Sequence, residues 1–250
     1  VRATGVLQNP AQVLTTTQRA RLAQAMKSDA PVFIVQPGDI GSPATRPAGT
    51  APITWRFTAE NVRDFAWASS HTFVWDAMGF KYRPDSKTIE LHSVYPRDAM
   101  PLWDKYSTKA IKQTMVTYGR MVLEYPYPVA SNVHGSVGGM EYPMIAFCGA
   151  RPRPDGTYDE SLPYRLISVT IHEVGHACAL PGHCQIDENG DEVEAPVGDK
   201  TCPMRYSDHA EDLRWIILQT IFKPEAALQG TFSRFCKQDH NCWSKLSLRD

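Results

Sequence analysis

The chain has 250 residues, a formal net charge of −1 and a hydrophobic content of 42%. This length suits one larger domain or two small ones, and the composition is that of an ordinary globular core. The near-zero charge without a strong basic patch argues against nucleic acid and anionic membranes as partners. The longest apolar runs, such as 215–218, are too short to span a bilayer, so no transmembrane segment is expected.

The first fifty residues predict a helix, a strand and a linker. Residues 15–28 carry apolar side chains at helical spacing, and the run PVFIV at 31–35 is typical of a strand. Residues 36–52 are rich in Pro, Gly, Ser and Thr, which indicates a linker or a long loop.

The next hundred residues predict strands around one long helix. That helix is expected from about residue 107 to 124 and stops at the YPYP of 125–128, because proline cannot continue a helix. Strands are expected in VASNVHG and MEYPMIAFCG after this stop. Before the helix, strand-like runs occupy 53–59, 71–77 and 88–96.

The remaining residues predict a helix-rich end. A helix is expected from about residue 162 to 180, with Pro163 in its first turn and Pro181-Gly182 ending it. A last helix is expected to begin at Asp208, where Glu211 completes a capping-box-like start. Strands followed by helices predict the α+β class.

Four of the six cysteines fall in the C-terminal quarter of the chain. Their spacing predicts two local disulfides, Cys184–Cys202 and Cys236–Cys242, and hence an oxidising compartment. This favours a secreted or periplasmic protein. Reduced thiols in a cytosolic protein are the alternative.

The motif HEVGH at 172–176 is the strongest functional signal. Residues four apart share one face of a helix, so His172 and His176 can both face one ion. Zinc suits imidazole ligands, and a catalytic zinc takes three protein ligands plus a water. Glu173 is then placed to accept the proton of that water and to deliver it to the leaving amine.

The motif is unlikely to arise by accident. The composition predicts roughly 0.01 chance occurrences in a chain of this length. The alternative is a pair of helix histidines that merely pack or face solvent.

Three stretches together with HEVGH resemble the membrane alanyl aminopeptidase family, the gluzincin zinc aminopeptidases. They are WRFTAENVRDFAWASS (55–70), YSTKAIKQTMVTYGRMVLEYPYP (106–128) and GGMEYPMIAFCG (138–149). The resemblance covers about residues 1–176. It implies a zincin-like fold of the thermolysin or metzincin type, with a small mixed sheet and an active-site helix.

The same resemblance implies a division of the chain. Residues 1–50 would be the end of an N-terminal β-domain plus a linker. Residues 51–250 would form the zincin-like metallopeptidase domain, with an upper part at 51–180 and a lower part at 181–250.

The family's GxMEN motif is matched by Gly138, Gly139, Met140 and Glu141, with Tyr142 in place of the asparagine. In that family the motif forms an edge strand beside the zinc, and its glutamate binds the free α-amine of the substrate. The resemblance therefore implies substrate-binding roles for residues 138–141. The alternative for Glu141 is an ordinary exposed strand residue.

The resemblance fails at the third metal ligand. The family's ligand is a glutamate eighteen residues beyond the second histidine, and this position holds Ala195. Glu194 is one residue short of it. Glu192 and Glu194 remain acidic candidates.

The tail resembles the metzincins instead. HEVGHACALPGH is similar to the metzincin HExxHxxGxxH motif with one residue inserted, which implies His183 as the third ligand. Pro181 and Gly182 favour this, because they end the helix and allow a sharp reversal. CPMRY (202–206) resembles a Met-turn, with Met204 as the apolar floor beneath the histidines and Tyr206 beside the zinc.

These observations predict a metallopeptidase that uses one catalytic Zn²⁺ to hydrolyse peptide or protein substrates. Glu141 favours removal of N-terminal residues, whereas the short lower part would leave an open cleft and favours an endopeptidase. The first alternative is a degenerate or truncated peptidase module that binds zinc or peptide without turnover. The second is a structural zinc site, for which four ligands are available: His172, His176, His183 and Cys184. The sequence leaves the oligomeric state open.

Overall fold

The computed structural model of the protein describes residues 1–62, 64–121, 123–176, 184–186 and 192–194. The helices are α1 (Pro10–Val13), α2 (Thr16–Ala25), α3 (Trp103–Met121) and α4 (Ser161–His176). The strands are β1 (Arg2–Ala3), β2 (Val6–Leu7), β3 (Val32–Val35), β4 (Phe57–Thr58), β5 (Trp67–Ala68), β6 (Phe73–Phe80), β7 (Ile89–Pro96), β8 (Val129–His134), β9 (Gly139–Tyr142), β10 (Ile145–Cys148), β11 (Cys184–Ile186) and β12 (Glu192–Glu194).

Six strands form one mixed sheet in the order β3-β6-β7-β8-β10-β9. The pairs β7–β8 and β8–β10 are parallel, whereas β6 and the edge strand β9 run antiparallel to their neighbours. Parallel neighbours need a long crossover, and α3 supplies it between β7 and β8. The described residues are therefore of mixed α/β type, and the zincin-like fold stays a prediction.

The two long helices cover one face of the sheet. Ile111 and Met115 of α3 and Ile167, Ile171 and Val174 of α4 share one buried cluster. This cluster also contains Met78, Leu91 and Ala130 from the three central strands. The apolar spacing that predicted both helices is thus the face that packs on the sheet. No helix in the described ranges combines the length and apolar character needed to cross a membrane.

The opposite face of the sheet is buried by the first part of the chain. Trp75, Ala77 and Val94 pack there with Val13 and with Ala25 of α2. Because both faces of the sheet are covered, β6 and β7 are almost wholly buried.

The sheet continues across the boundary predicted near residue 50. Strand β3 precedes that position, yet Val32 and Val35 pair with Ala77 and Trp75 of β6. Residues on the two sides of residue 50 therefore contribute to one sheet and one core.

The segment 36–52 is a long loop, as its composition predicted, and it is held against α2. The Gln18 side chain donates a hydrogen bond to the carbonyl of Thr45 at 3.1 Å. Arg21 forms an ion pair with Asp39, with 2.9 Å between Nη1 and Oδ2. Two short 3₁₀ turns, Pro37–Asp39 and Pro43–Thr45, lie within the loop.

Most predicted elements are confirmed with shifted ends. The helix predicted over 15–28 is α2. Thr15 caps its start, and Gln18 completes a capping box. Helix α3 begins at Trp103, four residues before the predicted start, because Trp103 is fully buried and anchors the first turn in the core. Of the strand predicted over 53–59, only Phe57 and Thr58 are in a strand.

A buried carboxyl group lies between β6 and α3. Asp76 Oδ2 accepts a hydrogen bond from Tyr95 at 2.6 Å, and Asp76 Oδ1 accepts one from Thr108 at 2.5 Å. Burial raises the pKa of Asp76 to about 7, although these two hydrogen bonds act to lower it. The folded protein therefore favours the protonated form of this side chain.

Replacing Asp76 with Asn should flatten the pH dependence of stability. The unfolded chain releases this proton near pH 3.9, whereas the folded chain holds it to about pH 7. The folded state binds more protons between these values, so its stability falls as pH rises through this window, by at most about 1.4 kcal/mol per pH unit. Asp76→Asn cannot titrate and should lose this slope in urea unfolding from pH 4 to 8.

The matched control for that measurement is Asp98→Asn, the same chemical change at an exposed position. It should keep the slope of the unaltered protein. An equal slope in Asp76→Asn and the unaltered protein would contradict the assignment.

Candidate functional site

Helix α4 carries the HEVGH motif and is fixed at its start by a cap. The backbone N–H groups of Ser161 and Leu162 donate to Asp159 Oδ1 at 3.0 and 3.1 Å. This satisfies two of the donors that a helix start leaves without intrahelical partners. Pro163 lies in the first turn, as predicted, where its missing N–H costs nothing.

His172 and His176 converge at the other end of α4. Their Nε2 atoms are 3.1 Å apart, and the rings are nearly perpendicular at 87°. Two imidazole nitrogens bound to one tetrahedral zinc at 2.0–2.1 Å would be about 3.3 Å apart. The spacing of the two nitrogens is thus close to that of two ligands of one zinc ion, and without an ion the two rings share a hydrogen bond.

Glu173 lies between the two histidines in sequence and against the edge strand β9 in space. Its side chain is buried, and within the described part of the chain its Oε1 atom has no hydrogen-bond partner. A Cβ atom on Gly139 would lie only 2.6 Å from that Oε1. The absence of a side chain at Gly139 thus makes room for the Glu173 carboxyl.

Glu141 of β9 faces the same carboxyl. Burial, and after it the neighbouring negative charge of Glu141, together raise the pKa of Glu173 to about 8. Side chains alternate along a strand, so Gly139 and Glu141 share the face towards α4, whereas Met140 points away and is exposed. Two acidic groups therefore lie close together beside α4, and a positive charge between them would relieve their repulsion.

Gly138, just before β9, and Gly149, just after β10, lie side by side at the end of this strand pair. The backbone N–H of Gly149 donates to the carbonyl of Gly138 at 3.0 Å. A Cβ on Gly149 would lie 2.9 Å from the Gly138 Cα, closer than side-chain atoms approach. Of residues 138–141, Gly139 and Glu141 therefore reach the α4 site, while Gly138 shapes the strand end.

A cleft of about 650 Å³ opens at the end of the sheet where β7, β8 and β10 begin. Ile89 and Tyr125 line this cleft, and both also belong to the core cluster that contains Val174. Leu166, near the start of α4, packs instead with Cys148 and Tyr95 at the opposite strand ends. None of the described residues that line the cleft belongs to α4 or β9, so the cleft is separate from His172, Glu173 and His176.

Within the described ranges, no three His, Cys, Asp or Glu side chains form a group that could hold a metal ion. The candidates for the third ligand lie elsewhere. Glu192 and Glu194 belong to β12, whose backbone pairs antiparallel with β11. The other predicted site residues, His183, Met204 and Tyr206, lie outside the described residues.

The predicted disulfides also involve residues outside the described part. Cys202, Cys236 and Cys242 lie there, and Cys184 is described only as part of β11. Cys148 is a free, buried thiol at the end of β10, and burial raises its pKa above the ordinary value.

Sequence analysis missed two polar residues behind the motif. Asn132 of β8 donates a hydrogen bond to Thr170 of α4 at 2.8 Å, and both side chains are fully buried. A threonine two residues before the motif on a buried helix face was the available signal. Nothing in the sequence singles out Asn132 as its partner.

Replacing Glu141 with Gln should lower the pKa of Glu173 in metal-free protein. The substitution removes the neighbouring negative charge but leaves the burial, so the pKa should fall from about 8 and remain above that of an ordinary glutamate. The measurement is a pH titration of ¹³C-labelled glutamate carboxyls, with the signal assigned through Glu173→Gln.

Glu124→Gln is the control for this titration, because Glu124 is ion-paired with Arg83 rather than with the α4 site. It should leave the Glu173 titration where it is. An unchanged titration in Glu141→Gln would show that the two carboxyls do not interact.

Comparison of the chain with protein-family models, with curated proteins and with solved structures gives no match, so the resemblance to zinc peptidases stands on the motifs and the site geometry alone.

Proposed function

We propose that the protein is a zinc-dependent metallopeptidase. One observation carries the proposal: the Nε2 atoms of His172 and His176 meet at 3.1 Å on the helix that also carries the buried carboxyl of Glu173. Imidazole nitrogens at this distance suit a single zinc ion, and an adjacent carboxyl suits proton transfer. The zincin-like fold belongs to the same proposal.

Zinc, when bound, polarises the scissile carbonyl and makes a bound water acidic near pH 7. Glu173 accepts the proton of the attacking water and then donates it to the departing amine. A group serves both steps best when its pKa is near the working pH. The pKa of about 8 in the metal-free site places Glu173 in that range, and a nearby cation would lower it.

Glu141 supplies a second negative charge on the substrate side of the site. A carboxylate in this position pairs with an ammonium group, which would orient a peptide by its free N-terminus. This supports an aminopeptidase. The short lower part expected from the sequence would leave an open cleft, so an open-cleft endopeptidase remains the second subtype.

His183 is the proposed third ligand, with Glu194 and Glu192 as alternatives. Pro181 and Gly182 allow the chain to turn back after α4, and Met204 would lie beneath the histidines. Tyr206 would donate a hydrogen bond to the developing oxyanion, a contribution of about 3–4 kcal/mol where such donors have been measured. The predicted disulfides carry the further proposal that the protein is secreted or periplasmic.

The competing proposal is a module that binds zinc or peptide without turnover. Ala195, which stands where the resembled family has its glutamate ligand, favours it. A third proposal, a structural zinc site with four protein ligands, would leave no position for water. Activity measurements on the variants below separate the three.

Glu173→Gln should abolish peptidase activity and leave zinc binding intact. Gln has nearly the same shape but cannot take up the water's proton, so kcat should fall by about 10²-fold or more. The assay pairs hydrolysis of a peptide library with zinc content after dialysis. His71→Ala, at an exposed histidine, is the control and should change neither quantity. Peptidase activity that survives unaltered in Glu173→Gln would show the mechanism to be wrong.

His183→Ala should lose the zinc that the unaltered protein retains after dialysis against a mild chelator. Three protein ligands are needed for tight binding, and two remain in this variant. Glu194→Gln is the matched comparison and should retain about one zinc per chain. The reverse result, with zinc lost in Glu194→Gln and kept in His183→Ala, would transfer the third-ligand role to Glu194.

A further inference from the structure

A chain of buried polar side chains runs from the sheet to the helix that carries the motif. Asn132 of β8 donates to Ser107 of α3 at 3.1 Å and to Thr170 of α4 at 2.8 Å. Ser107 Oγ lies 2.7 Å from Ser93 Oγ, which lies 2.7 Å from Thr108 Oγ1.

The chain ends at a carboxyl group. Thr108 donates to Asp76 at 2.5 Å. The hydroxyl protons of Thr108, Ser93 and Ser107 can point towards Asp76 when its carboxyl is ionised, whereas the Thr170 hydroxyl donates to Leu166. We refer to Asp76, Thr108, Ser93, Ser107, Asn132 and Thr170 as the polar relay.

Every member of the polar relay is buried, with at most 2% of its surface exposed. A buried amide that loses a hydrogen-bond partner is destabilised, because water cannot replace that partner. The two hydrogen bonds donated by Asn132 therefore resist movement of Ser107 and Thr170 away from it. Asn132 holds both α3 and α4 against the same strand.

Thr170 is the point where the polar relay meets α4. Its hydroxyl donates to the carbonyl of Leu166 at 2.8 Å and accepts from Asn132. Apolar contacts alone would let α4 rotate slightly on the sheet, whereas this hydrogen bond sets the rotation. Glu173 lies three residues further along, on the same side of the helix, so the rotation at Thr170 also sets how Glu173 meets Gly139.

We propose that Asn132 and Thr170 are positioning residues, which fix the rotation of α4 so that Glu173 and the two histidines face β9 in the productive geometry. This inference rests on the proposed peptidase function for its kinetic consequence. Its structural consequence, the fixed rotation of α4, is independent of zinc and of turnover.

The test compares two buried helix threonines, of which only Thr170 contacts Asn132. Thr170→Val removes the hydroxyl that accepts from Asn132. Thr114→Val is the matched control, because Thr114 is equally buried and donates to the carbonyl four residues before it, Ala110, at 2.7 Å, but lies outside the polar relay. Thr170→Ser keeps the hydroxyl and serves as the rescue variant.

Two readouts are used on the full chain. Hydrogen exchange followed by mass spectrometry reports the protection of residues 171–176. Peptide hydrolysis by zinc-loaded protein gives kcat and KM. Thr170→Val should lose protection in 171–176 and lose about tenfold or more in kcat at nearly constant KM, since supporting contacts of metal sites are worth 10–100-fold. Thr114→Val should show neither effect, and Thr170→Ser should restore both.

Equal exchange of residues 171–176 in Thr170→Val and Thr114→Val would overturn the inference, whatever the activity. Loss of kcat in proportion to global unfolding in both variants would also overturn it and leave Thr170 an ordinary core residue. Failure of the proposed function is distinct: the unaltered protein would then hydrolyse no peptide, while the exchange comparison would still decide whether the polar relay fixes α4.

Discussion

The structure depends on how α4 can be buried while it carries charged and polar groups. Removing an imidazole or a carboxyl from water costs free energy unless a partner replaces the water. His172 and Glu173 are nevertheless almost fully buried. The polar contacts of α4 differ between the middle of the helix and the end that carries the motif.

In the middle of α4, hydrogen bonds between the helix and the sheet are already in place. Thr170 bonds to Asn132, which is held in turn by Ser107. On the side towards β9, the acidic groups Glu173 and Glu141 face each other, and their mutual repulsion favours a proton or a cation between them. A hydrogen-bonded contact at Thr170 therefore lies one turn before an acidic pair that a positive charge would complete. This contrast distinguishes the structural part of α4 from the part we assign to chemistry.

The opposite face of the sheet shows that burial of charge is not in itself a functional signal. His92 is fully buried, accepts a hydrogen bond from Trp75 at 3.1 Å and lies 3.0 Å from Glu90. Burial lowers its pKa to about 4, so it is neutral near pH 7. Arg2 adds a nearby positive charge that helps to hold the pKa of Glu90 low. Both ring nitrogens of His92 have a partner, and Arg2 donates to Ser131 at 3.3 Å, which fits a role in holding the N-terminal segment on the sheet.

The sequence by itself determined the local features of this protein. Periodicity and caps predicted the long helices, and HEVGH placed His172 and His176 on one helical face, because a pattern of residues fixes the direction of side chains within one element. The tertiary structure alone decided what lies opposite them. Asn132 and Thr170 are 38 residues apart and meet only because α4 packs across β8. Glu141 reaches Glu173 only because β9 joins β10 in one register, and a shift of one residue would turn it away. Contacts of this kind depend on packing between elements, which no local pattern in the chain encodes.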